Sequence, residues 1–130
     1  MKFEQLLSHL DAGICVDQLQ TESVVDLAVL LMSIDGDVCE KELSVLNTWI
    51  EKLCWNSEVE AGLYISNMIT HCRDIIAKGQ TEHFIHHRMK HIVDEPVKEL
   101  AFRLTTQLAQ ADGVVTESES NALKVIEAEL

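Results

Sequence analysis

The sequence predicts an all-α domain, and three observations carry that reading. Apolar residues recur at three- and four-residue spacing along most of the chain. No run alternates with period two for long enough to make a strand. Turn formers are scarce, with five glycines and one proline among 130 residues, too few for a many-stranded sheet protein. About seven helices are expected, in a single domain spanning residues 1–130.

Phe3, Leu6, Leu7 and Leu10 form a short amphipathic stripe that closes near Gly13. Thr21 is the expected cap of a second helix running to about Ile34. Its residues Val24, Val25 and Leu27 to Met32 are apolar nearly all round, which marks it as the central helix. After the break Asp35-Gly36-Asp37-Val38, Leu43, Leu46, Ile50 and Leu53 give the next helix an inner stripe, joined by Trp49. Ser57-Glu58-Val59-Glu60 has the pattern of a capping box. It should open a helix that buries Ala61, Ile65, Met68, Cys72 and Ile75 and stops at Gly79. Thr81 should cap a fifth helix with Ile85, Met89, Ile92 and Val93 on its core side. Pro96 suits a first helical turn, followed by Val97, Leu100, Ala101, Leu104, Leu108 and Ala111 facing in. Thr116 with Glu119 is a further capping box, and Leu123 and Ile126 face the core beyond it.

One unit is used twice. Aligning Leu27–Leu46 with Leu104–Leu123 leaves eight of twenty positions identical, among them Asp35/Asp112, Gly36/Gly113, Glu40/Glu117 and Glu42/Glu119. The matching leucines fall at helical spacing and the rest cluster at the turn. The sequence therefore predicts an internal pseudo-symmetric repeat of helix, Asp-Gly turn and helix, with units at about residues 24–54 and 97–130.

Formal charge is −12, unevenly placed. Residues 71–103 hold six of the ten Lys/Arg and five of the six histidines, whereas the remainder carries seventeen acids against four bases. Such a surface repels nucleic acid and suits a cation or a protein with a basic patch. No apolar run approaches a membrane span, and no continuous apolar segment follows the first residues as in a signal peptide, so a cytoplasmic protein is expected. Cys15, Cys39, Cys54 and Cys72 show no Cys-x-x-Cys spacing and read as buried hydrophobes.

The acidic turns admit two readings. In one they are helix punctuation: glycine ends a helix, and the carboxylates cap the next and meet its dipole. In the other, Asp35, Asp37, Glu40 and Glu42, with Asp112, Glu117 and Glu119, are oxygen ligands for a divalent cation. The spacing is not that of an EF-hand, whose twelfth position would here be Leu46.

The helix-Asp-Gly-x-Val-helix unit followed by glutamates, used twice, resembles the TerB-like family, which is named for tellurite resistance and has a relative in J-domain co-chaperones. The resemblance runs from about Val24 to the end, through Asp35, Gly36 and Glu42 and through Asp112, Gly113 and Glu119. It implies a seven-helix pseudo-symmetric fold, a cytoplasmic role in bacterial stress response, and metal chelation by the acidic turns. A typical member has adjacent glutamates late in the motif, where Lys41 and Ser118 separate them here.

His83, His87 and His91 lie four residues apart on one helix face, with His86 beside them, and form a second candidate metal site. The core stripe of that helix points the other way, so the three are expected in solvent, where they could also respond to pH. No nucleophile motif or glycine-rich phosphate loop is present, so no enzymatic activity is expected. The sequence thus points to a non-catalytic stress-response module that binds cations or a basic partner protein through its acidic turns. The alternative is a co-chaperone-like interaction scaffold without metal.

Overall fold

The computed structural model describes residues 18–34, 40–52, 55, 59–111 and 115–130. The described residues form six helices and no strand: α1 (Gln18–Ser33), α2 (Glu40–Lys52), α3 (Ala61–Ala77), α4 (Thr81–His91), α5 (Glu95–Gln110) and α6 (Glu117–Ala128). The expected helix at Phe3–Leu10, both Asp-Gly breaks at 35–38 and 112–114, and Leu53 lie outside the described residues.

α1 is the hub. Every residue from Ser23 to Ser33 is buried, and α2, α3, α4 and α5 all pack against it. A helix apolar all round can only be stable when covered on most sides, which the surrounding helices achieve. α6 closes the bundle over α4 and α5. The inner stripes fall largely where the periodicity puts them: Leu46, Trp49 and Ile50 on α2, Ile65 and Cys72 on α3, and Val97, Leu100, Ala101, Leu104 and Leu108 on α5.

Several helix starts differ from the sequence expectation. Thr21 is no cap, since α1 begins three residues earlier and Thr21 is fully buried inside it. The first turn of α1 is instead tied into the fold by Gln20, whose Oε1 accepts from the backbone N–H groups of Val93 and Asp94 (both 3.2 Å) and whose Nε2 donates to Asp94 Oδ2 (3.1 Å). α3 begins at Ala61, with Glu60 as its N-cap and no side-chain cap bond, and Ser57 and Glu58 of the expected box lie outside the described residues. Gln80 rather than Thr81 is the N-cap of α4. Val93 is 70% exposed, because α4 ends at His91 and the chain has already left helical geometry there. Phe84, absent from the expected stripe, is buried. Pro96 sits in the first turn of α5 as expected.

Gly79 ends α3 as the sequence predicts, with φ +68°. Its N–H donates to Ile76 O (3.1 Å) and the N–H of Gln80 to Ile75 O (3.0 Å), which is the Schellman pattern. Nothing lies within 4 Å of where a Cβ would stand, so the cost of a side chain here is conformational. Gly79→Ala is expected to lose about 1 kcal/mol of stability, measured by urea unfolding.

Candidate functional site

Two polar centres stand out among the described residues. The first comprises the acidic starts of α2 and α6. Glu40 and Glu117 are first residues of their helices and are exposed. Glu42 and Glu119, two positions later, are buried at 3% and 2% exposure. At α6 the reason is visible. Thr116 Oγ1 accepts from the Glu119 N–H (3.2 Å), while Glu119 Oε1 accepts from the Thr116 N–H (3.1 Å) and hydroxyl (2.9 Å). That is the capping box read from the sequence, and it satisfies two backbone donors that the helix start would otherwise leave open. Thr116→Ala should cost about 1 kcal/mol, read as a lowered urea midpoint. Glu42 also has an interaction partner within the fold. Asp35, Asp37 and Asp112 lie outside the described residues.

Both acidic starts belong to helices in contact with α5, α2 on one side and α6 on another. Ile34, immediately before the first break, and Ser118, second in α6, line one groove together with Ile76, Ile85 and Val125.

The second centre is buried between α1, α3 and α4. Asp26, 4% exposed, receives the Tyr64 hydroxyl on Oδ1 (2.6 Å) and Arg88 Nε on Oδ2 (2.6 Å). The Arg88 guanidinium also lies 4.3 Å from the centroid of the Phe84 ring and donates to His87 Nδ1 (2.6 Å). Cys72 sits beneath, its thiol 4.0 Å from the Asp26 carbonyl. Burial pushes the Asp26 carboxyl above its ordinary range, opposed by the bonds from Tyr64 and Arg88. Burial and then the Asp26 carboxylate also raise the Tyr64 phenol. The Cys72 thiol is pushed up to about 12, chiefly by burial. A thiol and a phenol so raised are poor nucleophiles and bases near neutrality. The arrangement instead suits a clamp joining three helices at one carboxylate. No sequence motif marks it, because its members are 38 and 62 residues apart from Asp26. The one available signal was an aspartate interrupting the apolar run from Val24 to Met32.

Among the described residues, no group of three or more His, Cys, Asp or Glu side chains stands close enough together to hold a metal ion. Compared with family models, curated proteins and solved structures, the chain matches none of them. The sequence and the geometry therefore carry the functional reading.

The histidine stripe is gathered only in part. His83 and His87 are exposed, but His91 is half-buried, not fully in solvent. The rings of His87 and His91 meet edge to face at 4.6 Å. His87 is held below its usual pKa by desolvation and then by the neighbouring positive groups Arg88, His91, His83 and Lys90. His86 turns away to Glu82 (3.5 Å) and Glu129. No helix among the described residues is long and apolar enough to cross a membrane.

Proposed function

We propose that this chain is a non-catalytic binding module of the TerB-like kind, which takes a divalent cation or the basic surface of a partner protein on the acidic starts of α2 and α6. The reading holds that one helix-turn-helix unit is used twice in a seven-helix domain. The observation that supports it most is the matched environment of four repeated pairs, while at a fifth Leu46 is fully buried and Leu123 only partly. Leu27 and Leu104 are both fully buried, as are Leu31 and Leu108 to within 1%. Glu40 and Glu117 face solvent, and Glu42 and Glu119 are buried. Each of the two helices thus presents one outward carboxylate at its start. A cytoplasmic stress-response role rests on the family resemblance alone.

A metal-free scaffold is the second reading, and the capping box favours it. The Glu119 carboxylate already accepts two bonds from Thr116, so fewer oxygens are left for Ca²⁺, which takes six to eight.

Amide NMR separates the two. If a cation binds, millimolar Ca²⁺ shifts the signals of Gly36 and Gly113, and unmoved signals refute that version. A charge-driven protein contact weakens as salt is raised, so a partner retained equally at low and high salt counts against the acidic surface as the contact.

A further inference from the structure

We infer that the groove between the ends of α1 and α3 and the starts of α4 and α6 docks a cationic, amphipathic segment of a partner protein. The inference rests on the proposed acidic binding surface and names its partner's chemistry. The groove has an apolar floor of Ile34, Ile76, Ile85 and Val125, with Glu82 and Ser118 at its rim. Its volume is about 290 Å³, at the bottom of the roughly 300–1,000 Å³ range of small-molecule pockets. It therefore fits one or two apolar anchor side chains better than a whole metabolite.

Charge selects the rest of the occupant. The Glu82 side chain is 74% exposed, and its one ion-pair neighbour among the described residues is His86, at 3.5 Å. Glu117 is exposed and lies one helical turn before Asn121, another groove residue. Ser118, a groove residue, stands between Glu117 and Glu119 at the start of α6. Glu82 and the acidic start of α6 thus border one apolar floor. A helix with leucine-like anchors on one face and Lys/Arg on its flanks would bury the first and pair the second, the helix-in-groove mode of recognition. The wider depression beside α5 lacks this complementarity. Its lining mixes both signs, Lys98 paired with Glu95 (3.5 Å) and Arg103 with Glu99 (3.7 Å), with Glu127 as a further carboxylate.

The test uses a synthetic Leu/Lys amphipathic helical peptide, a Leu/Glu counterpart and a Ser/Lys counterpart, titrated into the methyl-labelled full chain. The Leu/Lys peptide should shift the methyl signals of Ile34, Ile76, Ile85 and Val125, and the other two peptides should leave them in place. The double change Glu82→Gln, Glu117→Gln should weaken binding several-fold, and Asn121→Trp, which fills the groove from an exposed position, should abolish it. Thermal melts of both variants confirm folding, and the three-peptide comparison needs no variant. Silent groove methyls, equal shifts from the Leu/Glu or Ser/Lys peptide, or shifts confined to α5 would overturn the inference. Should Gly36 and Gly113 respond to Ca²⁺ while the groove ignores the Leu/Lys peptide, this inference fails and the acidic-turn reading stands.

Discussion

Arg88→Met is expected to lower the unfolding free energy by about 3–5 kcal/mol, the range for removing one partner of a buried ion pair. Among the described residues, Asp26 would keep only the Tyr64 hydroxyl on its carboxylate. The Arg88 side chain is 17% exposed and that of Asp26 only 6%, so water cannot readily replace the lost partner. The effect should depend on pH. In the folded chain the Asp26 carboxyl is already raised above its ordinary 3.8. The native state therefore holds that proton more tightly than the unfolded one. Its contribution to stability is fully present below the unfolded value and is lost as pH rises through the higher folded value. Removing Arg88 takes away two lowering influences, its hydrogen bond and its charge, so the folded value rises further and the loss grows. Urea unfolding of Arg88→Met should show a larger deficit at about pH 7 than at about pH 4. Asp26→Asn in the same background should recover part of it, because no charge is then left unpaired. A deficit under about 1 kcal/mol, independent of pH, would mean that water or another group compensates Asp26.

Leu27→Ala should cost about 2–5 kcal/mol, the usual range for a large-to-small change in a closed core. Leu27 is fully buried on the helix that α2, α3, α4 and α5 all cover. No neighbour can collapse into the void without leaving its own contacts. Leu63, 56% exposed on α3, supplies the contrast, since Leu63→Ala should change stability by no more than about 0.5 kcal/mol. Equal effects at the two positions, measured by urea unfolding, would contradict the central placement of α1.

How far the sequence could be read follows from the range of the forces involved. The apolar girth of α1, the Gly79 stop, Pro96 in its first turn and the Thr116–Glu119 box were legible because each depends on residues within one or two turns. Thr21 and Thr81 misled for the complementary reason. A hydroxyl or carboxylate that can cap does so only if the chain outside the helix permits it, and at α1 the start is held by Gln20 reaching Val93 and Asp94. Val93 fits the helical period of α4, but the helix stops two residues short of it. The Asp26 clamp was invisible because its three members come from separate helices and no local pattern links them. The candidate acidic site was legible as a list of carboxylates. Which of them face solvent was not, since Glu40 and Glu42 look alike in sequence and differ only once α2 is packed.

The proposed binding surface depends on the end of α1 and the acidic start of α6 lining a common apolar groove. Methyl–methyl NOE spectroscopy on an Ile/Val-labelled, otherwise deuterated sample tests this most directly. Cross-peaks connecting Ile34 through Ile85 to Val125 are the expected result. If Ile34 shows contacts only within α1 and none to the α4 and α6 methyls, the end of α1 and the start of α6 do not share a groove, and the binding surface assigned there is wrong.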